Sequence, residues 1–148
     1  MNLIPDTIEI MPGEFTYMTP REILVCLDRI ADIDDTGLIY LASPYSDADP
    51  HVRQQRFDRV YSRTARLIKA GVKVFSPIVY SHPMSISFDI PNGWAFWQEH
   101  NDEWLEKCEE LWIYCLPGWD ESNGVRHELA YANKLGMPVK YLRFVAEE

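Results

Sequence analysis

Two carboxylates, Asp102 and Glu128, are the residues of this sequence whose type and position best suit covalent chemistry. A turn signal at residues 122–124 opens the helix that carries Glu128, and the helix dipole is expected to hold this carboxylate ionised as an anionic nucleophile. Two carboxylates facing one crevice can break a glycosidic bond, one attacking the anomeric carbon while the other moves the leaving group's proton. The alternative is that Glu128 only stabilises the start of its helix.

The elements that must position these groups alternate between apolar strands and amphipathic helices from residue 38 onward. This alternation is typical of a parallel sheet covered on both faces, so we predict an α/β three-layer αβα sandwich with a flavodoxin- or Rossmann-like sheet of four to five strands. The predicted strands are residues 38–42, 72–75, 111–116 and 139–142. The predicted helices are residues 50–70, 94–108 and 125–135.

Residues 1–37 are predicted to form an N-terminal extension with one helix, and residues 38–148 the main α/β domain. The helix of the extension begins at Thr19, where Thr19, Pro20 and Glu22 give an N-cap, a first helical proline and a capping box. Residues 76–93, with three prolines, are predicted to be a long loop that serves as a lid or as a contact between subunits.

Loops at the carboxyl ends of parallel strands line the ligand crevice of such sheets, which makes their polar and aromatic residues candidates for binding. The predicted substrate-binding residues are Ser43, Tyr45, Asp47, His82, Trp119, Ser122, Asn123 and Gly124. Two of these residues have a purely structural alternative, His82 as a loop histidine and Asn123 as a turn former. The four tryptophans other than Trp119 are expected to be mostly core or subunit contacts.

Composition and charge narrow the choice of partners. The 148 residues are 47% hydrophobic and 13% aromatic, which indicates a folded globular chain. A formal net charge of −9 speaks against binding to nucleic-acid polymers, whose phosphates require clustered cations. Six basic residues between Arg53 and Lys69 are spaced as a solvated helix face. The three cysteines show no zinc or disulfide pattern, so we expect a cytoplasmic protein without a membrane segment, metal or cofactor.

Three motifs, in order, resemble nucleoside 2-deoxyribosyltransferases, and resemble still more closely the 2′-deoxynucleoside 5′-monophosphate N-glycosidases. The motifs are Leu-Ile-Tyr-Leu-Ala-Ser-Pro-Tyr at residues 38–45, Asn-Asp followed by Trp-Leu at residues 101–105, and Ser-Asn-Gly-Val leading to Glu-Leu-Ala-Tyr-Ala at residues 122–132. The resemblance covers residues 38–144.

The resemblance implies a flavodoxin-like fold in which Glu128 attacks C1′ of a deoxyribose and Asp102 assists departure of the nucleobase. It also implies that Tyr45 lies near the sugar, that Ser122 contacts a 5′-phosphate, and that the protein is a homo-oligomer needing no cofactor. Arg126 and His127 depart from the family, which has small or aromatic residues before the glutamate. These two side chains could pair with a phosphate, lower the pKa of Glu128 further, or fill the space of the sugar.

The sequence therefore predicts an N-glycosidase or deoxyribosyltransferase whose ligand is a small nucleoside or nucleotide. Two alternatives stay open. One is a binding module that keeps a nucleotide pocket without turnover, and the other is a structural, oligomerising protein without such a pocket. The base, the sugar, the 5′-phosphate and the choice between hydrolysis and transfer are not fixed by the sequence.

Overall fold

A five-stranded sheet forms the centre of the computed structural model, which describes the strand Thr7–Glu9 and residues 37–144. The strands are β1 (Thr7–Glu9), β2 (Leu38–Ala42), β3 (Lys73–Phe75), β4 (Glu110–Tyr114) and β5 (Val139–Leu142). Their spatial order is β1-β5-β4-β2-β3; β2 to β5 are parallel, and β1 pairs antiparallel with β5. The predicted α/β class is confirmed, and the N-terminal extension contributes an antiparallel edge strand.

Between residues 37 and 144, four α-helices connect the strands: α1 (Pro50–Lys69), α2 (Pro77–Phe88), α3 (Trp94–Lys107) and α4 (Asn123–Leu135). Three of them agree within two residues with the predicted helices. Their ends have clear local causes. Asp49 caps α1 by accepting the His51 N–H, and Ser122 caps α4 by accepting the Val125 N–H. Gly136 ends α4 in the left-handed conformation that glycine adopts without steric cost.

The strands bury both of their faces, which makes the domain a three-layer sandwich. Ile39 and Leu41 of β2 pack with Trp112 and the α1 residue Val60 on one face. On the other face, Tyr40 and Ala42 pack with residues of α3 and α4, among them Leu105 and Val125. Alternate side chains of a strand point to opposite faces, so the apolar run of β2 serves two cores.

The order of the parallel strands, β3-β2-β4-β5, is the flavodoxin-like order. The chain first adds β3 on one side of β2 and then adds β4 and β5 on the other side, so the strand order reverses between β2 and β4. The loop after β2 leads into α1 on one face, whereas the loop after β4 leads into α4 on the other. Such a switch point leaves a crevice at the carboxyl ends of the two strands. It is therefore the place in this fold where a ligand site is expected.

Residues 76–93 correct the sequence prediction, because most of them form α2 instead of a loop. Ser76 is the N-cap, with its Oγ accepting the Val79 N–H, and Pro77 occupies the first helical turn, where a missing N–H costs nothing. Pro83 lies inside the helix, and proline at such a position is normally read as a break. The capped start and the burial of Ser81 and His82 outweigh that preference.

The predicted helix that begins at Thr19 lies outside the described residues. Within the described part of the chain, no helix combines the length and the apolar character needed to cross a membrane.

Candidate active site

A cavity of about 400 Å³ opens at the switch point, between the carboxyl ends of β2 and β4. Its wall is built from the loop after β2, the buried side of α2, the start of α3 and the first turns of α4. The lining residues are Ser43, Tyr45, Ser46, Pro77, Ile78, Ser81, Asn92, Gly93, Trp94, Ala95, Trp97, Asn101, Glu121, Ser122, Asn123, Gly124 and Glu128. The volume lies within the usual range for small-molecule sites.

Glu128 lies on this wall with only 7% of its surface exposed. Its carboxylate accepts a hydrogen bond from the hydroxyl of Tyr40, a fully buried residue in the middle of β2. The strand and the helix thus meet at the site through one polar contact. Burial and this bond fix the carboxylate in place, which is the preorganisation that an attacking group needs.

The protonation of Glu128 differs from the sequence expectation. Burial raises the pKa of this carboxyl to about 8, the Tyr40 hydroxyl acts to lower it, and the negative charge of Asp102 raises it further. The helix dipole does not offset these effects, because its influence falls off within the first turn and Glu128 is five residues beyond Asn123. The raised pKa favours the protonated carboxyl over the ionised form that the helix dipole was expected to hold. The same contact and burial raise the pKa of Tyr40 well above its usual value.

Asp102 lies close enough to Glu128 to influence it but does not line the cavity. Its two carboxylate oxygens lie 2.9 and 3.1 Å from Nε2 of His127, on the facing helix α4. One turn along both helices, the Tyr131 hydroxyl donates to Glu106. Asp102 and His127 thus belong to a polar seam between α3 and α4, and the neighbouring Asn101 is the residue that reaches the cavity.

The two cationic side chains before Glu128 also lie away from the cavity. Arg126 is exposed and its Nε donates to the carbonyl oxygen of Asp120 at 2.9 Å, while His127 is held by Asp102. Neither side chain occupies the space of a ligand. Burial, Tyr40 and Asp102 set the pKa of Glu128, so the possibility that Arg126 or His127 lowers it finds no support.

The loop after β2 supplies three lining residues, two of which were predicted. Ser43 and Tyr45 are buried, and the loop is tied down by Arg56, whose Nη1 donates to the carbonyl oxygen of Ser46 at 2.9 Å. Asp47 is exposed and absent from the lining; its carboxylate accepts the Asp49 N–H at 2.9 Å. Asp47 therefore shapes the turn into α1.

His82 and Trp119, two further predicted contacts, do not line the cavity. His82 is buried on α2 behind Tyr45, with its Nδ1 2.6 Å from the Tyr45 hydroxyl oxygen. Trp119 packs beside Tyr141, with ring centroids 5.5 Å apart. The aromatic rings that line the cavity are those of Tyr45 and, from α3, of Trp94 and Trp97.

The three predicted residues at the start of α4 all line the cavity. Ser122 uses its Oγ to cap the helix, at 3.2 Å from the Val125 nitrogen. Gly124 packs against Trp94, since a Cβ on this glycine would lie 3.1 Å from Trp94 Cδ1. Asn123 is exposed at the mouth of the cavity.

The residue-level prediction missed Tyr40, Trp94, Trp97 and Asn101. The period-two alternation of β2 places Tyr40 on the face that α4 covers, so a signal for it existed. No signal in the sequence separates Trp94 and Trp97 from core tryptophans.

Two polar atoms of the wall, Ser43 Oγ and Trp94 Nε1, are buried without a hydrogen-bond partner in the described residues. Buried polar atoms are rarely left unpaired, so these two have bonding capacity left for water or for a ligand.

The described cavity wall contains acidic side chains but no basic ones. Among the described residues the lining holds two carboxyl groups, Glu121 and Glu128, and no lysine or arginine. The described part of the chain also contains no group of three or more His, Cys, Asp or Glu side chains suited to a metal ion. The groups on offer to a ligand are hydroxyls, amides, aromatic rings and carboxyls.

A family model covers most of the chain. The family model DUF1937, described as a domain of unknown function, matches residues 37–143, which include the four parallel strands and the whole cavity lining. No curated protein matches the chain. The match spans more than half of the sequence, and the chain therefore belongs to the DUF1937 family.

Proposed function

We propose that this protein cleaves the bond between base and sugar of a nucleoside or nucleotide, with Glu128 as the nucleophile. The observation that carries the proposal is a buried, hydrogen-bonded carboxyl on the wall of a cavity at the switch point of the sheet. The motif resemblance at residues 38–45, 101–105 and 122–132 supports the same chemistry.

The proposed reaction proceeds in two steps. In the first, a carboxylate oxygen of Glu128 forms a bond to C1′ while the bond from C1′ to the base nitrogen breaks, and the base leaves with the electron pair and takes up a proton. In the second, water or another base attacks C1′ and releases Glu128. Water gives hydrolysis, and a second base gives transfer.

The raised pKa of Glu128 is compatible with this role when a substrate is bound. Positive charge develops on the sugar carbon during cleavage, and a nearby positive charge favours the ionised carboxyl. The Tyr40 hydroxyl acts in the same direction by donating to the carboxylate. The ionised form of Glu128, which the attack requires, is therefore favoured as the bond to the base breaks.

The part of Asp102 is indirect in this proposal. The resemblance implies an acid that faces the base, but Asp102 is engaged by His127 outside the cavity. We propose that Asp102 adjusts the charge on Glu128 through space and fixes α3 against α4. The departing base then takes its proton from water.

The lining favours a nucleoside without a 5′-phosphate. A phosphate normally binds to cationic groups or to a helix N-terminus; the start of α4 lies on the wall, but the described lining carries two carboxyl groups and no lysine or arginine. Ser122, the serine that the resemblance assigns to the phosphate, accepts the Val125 N–H with its Oγ and keeps its hydroxyl proton available to a ligand.

A panel of deoxy- and ribonucleosides and their 5′-monophosphates tests the proposal, with free base measured by chromatography. We expect the wild type to release base from a deoxyribonucleoside, and Glu128→Gln to lose activity by about a thousandfold or more. Glu103→Gln, an exposed change on α3 that removes an ion pair with Lys107, is the matched control and should behave as wild type. Folded wild type that releases no base from any substrate contradicts the proposal.

A nucleotide-binding protein without turnover is the second candidate, and two features favour it. Burial raises the pKa of Glu128, which opposes the ionised form that attacks, and Asp102 does not line the cavity. Ligand binding that survives Glu128→Gln, together with no base release by the wild type, identifies this candidate. The cavity itself argues against a purely structural protein.

Self-association and a cytoplasmic location remain proposals. Self-association is supported by the exposed aromatic side chains of α2 and α3, since Tyr80, Phe96 and Trp104 expose 40%, 56% and 38% of their surfaces. Cys108 and Cys115 are both free thiols, as in a reducing compartment.

A further inference from the structure

His82 lies directly behind the wall of the cavity. It is one of the buried polar residues of the protein, with 5% of its surface exposed. Both ring nitrogens are engaged: Nδ1 lies 2.6 Å from the Tyr45 hydroxyl oxygen and Nε2 lies 3.2 Å from Oε1 of Gln54. The imidazole also stacks on Phe57, with ring centroids 4.3 Å apart and an angle of 24°. The ring is therefore fixed in position by three contacts from two different elements.

The direction of these hydrogen bonds follows from the contact between Gln54 and Asp58. Gln54 donates through Nε2 to the Asp58 carboxylate at 2.9 Å, so its Oε1 is the atom that faces His82. An amide oxygen can only accept, which places the His82 proton on Nε2 and leaves Nδ1 as an acceptor. The Tyr45 hydroxyl must then donate to Nδ1. The series of hydrogen bonds therefore leads from Tyr45 to His82, from His82 to Gln54 and from Gln54 to Asp58.

Charges around the ring agree with a neutral imidazole. Burial lowers the pKa of His82, the Asp58 carboxylate acts against burial, and the Arg53 guanidinium lowers the pKa further. Arg53 also lies beside the Tyr45 hydroxyl, while burial raises the pKa of Tyr45. The phenol is thus a neutral donor and the imidazole a neutral acceptor.

We propose that His82 is a positioning residue, which holds the Tyr45 ring and the loop of residues 43–46 in the geometry that receives the ligand. Tyr45 lines the cavity, yet its single hydroxyl proton is given to His82. Tyr45 consequently contacts the ligand through ring carbons and does not donate a hydrogen bond to it. This inference deepens the proposed function, because its kinetic test rests on base release.

The tautomer provides a first test that needs no substrate. Two-bond proton–nitrogen NMR correlations of the wild-type protein distinguish the two nitrogens of His82. We expect a neutral ring protonated at Nε2 at pH 7. A ring protonated at Nδ1 overturns the inference, whether or not the protein releases base, so this result is independent of the proposed function.

A double-mutant cycle on Tyr45→Phe and His82→Leu provides the second test. We expect each single change to raise KM by about threefold to tenfold, the value of one neutral hydrogen bond, with kcat changed much less. The double variant should be no worse than either single one, because both remove the same bond. Effects that multiply, or that fall on kcat, overturn the inference.

Two further variants separate positioning from a loss of fold. His82→Asn can present an amide oxygen near the position of Nδ1 and should recover most of the KM lost in His82→Leu. His51→Leu, an exposed change at the start of α1, controls for the loss of a histidine and should leave KM unchanged. Failure of His82→Asn to recover KM while thermal unfolding shows it folded contradicts the positioning role.

Discussion

At the scale of single residues, the site is governed by the competition between burial and hydrogen bonding at Glu128. The Tyr40 hydroxyl favours the ionised carboxyl, but burial and the charge of Asp102 favour the protonated form, and the net effect is a pKa of about 8. Between about pH 4.5 and pH 8, the folded protein thus tends to keep a proton on Glu128 that the unfolded chain, with a pKa of 4.5 for this group, has already released. The titration of Glu128 should therefore be measurable as a pH dependence of the free energy of unfolding.

The first prediction concerns the pH dependence of unfolding. Because the folded-state pKa of Glu128 is raised, its stabilising contribution is complete below about pH 4.5, declines as the pH rises and is lost above about pH 8. The full change has an upper limit of about 5 kcal/mol. Urea unfolding of wild type and Glu128→Gln between pH 5 and 9 measures it, as the difference between their free energies of unfolding.

The comparison with Glu128→Gln is needed because His82 titrates in the opposite sense. The lowered pKa of His82 gives stability that is present above pH 6.5 and lost as the pH falls through its folded-state value. Both proteins contain His82, so its effect cancels in the difference. A difference that stays constant from pH 5 to pH 8 would mean that Glu128 remains ionised throughout, contrary to this prediction.

At the scale of elements, the α3–α4 seam determines where the cavity wall lies. Asp102 and Glu106 of α3 are four residues apart, as are their partners His127 and Tyr131 of α4, so the contacts repeat at the spacing of one helical turn. Beyond the seam, the start of α3 brings Trp94 against the glycine in the first turn of α4. The two helices must approach closely for Trp94 to form part of the wall.

The second prediction tests that close approach with Gly124→Ala. A new Cβ would lie 3.1 Å from Trp94 Cδ1, tighter than ordinary van der Waals contact, so the indole must move. Alanine favours a helix by up to about 1 kcal/mol over glycine, which offsets the crowding. We expect stability near that of wild type and a KM raised by about threefold or more, measured by thermal unfolding and base release.

Gly93→Ala is the matched comparison for this change. Gly93 also lies on the wall, at the start of α3, but a Cβ there would meet nothing within 4 Å. We expect a smaller effect on KM than that of Gly124→Ala. Equal effects of the two substitutions would show that the contact with Trp94 does not control the wall.

The same elements show how far the sequence can predict this fold. Strands β2 and β5 begin and end at the predicted residues, because apolar runs bounded by turn residues are strong signals. Helix α2 was missed, since Pro83 outweighed the Ser76 and Pro77 start signal in the sequence. The parallel direction of these strands followed from the alternation of elements, whereas their spatial order was not predicted. The antiparallel β1 had no such pattern.

The candidate site was predicted in part. Ser43, Tyr45, Ser122 and Glu128 follow strands in the sequence, and the rule for open parallel sheets brings such loops together at the cavity. Asp102 was assigned from the motif resemblance and its predicted helix, and His82 from its place in a predicted crevice loop. Their actual partners, His127 and Tyr45, lie 25 and 37 positions away, and only the packing of helices decides which side of the wall each one occupies.

At the scale of the whole molecule, charge selects among ligands. The chain carries a formal net charge of −9, and the described cavity wall contains carboxyl groups but no lysine or arginine to offset it locally. Arg53 and Arg56 lie near the cavity, but both donate to backbone carbonyls of the loop after β2. An anionic ligand approaching the mouth thus meets an unfavourable potential at long range and no compensating cation at the wall.

The third prediction is an ionic-strength dependence that differs between two ligands. For a nucleoside 5′-monophosphate, raising NaCl from 10 to 200 mM should improve affinity by about threefold or more, because the Debye length falls from about 30 to below 10 Å and repulsion is screened. The matching nucleoside, which has no charge, should change little. Calorimetric titration of both ligands against Glu128→Gln measures binding without turnover and therefore applies equally to an enzyme and to a binding protein. If the affinity of the monophosphate falls with salt instead, a cation must reach the bound phosphate, and Arg53, Arg56 and Arg126 are the side chains whose loop contacts would then have to open.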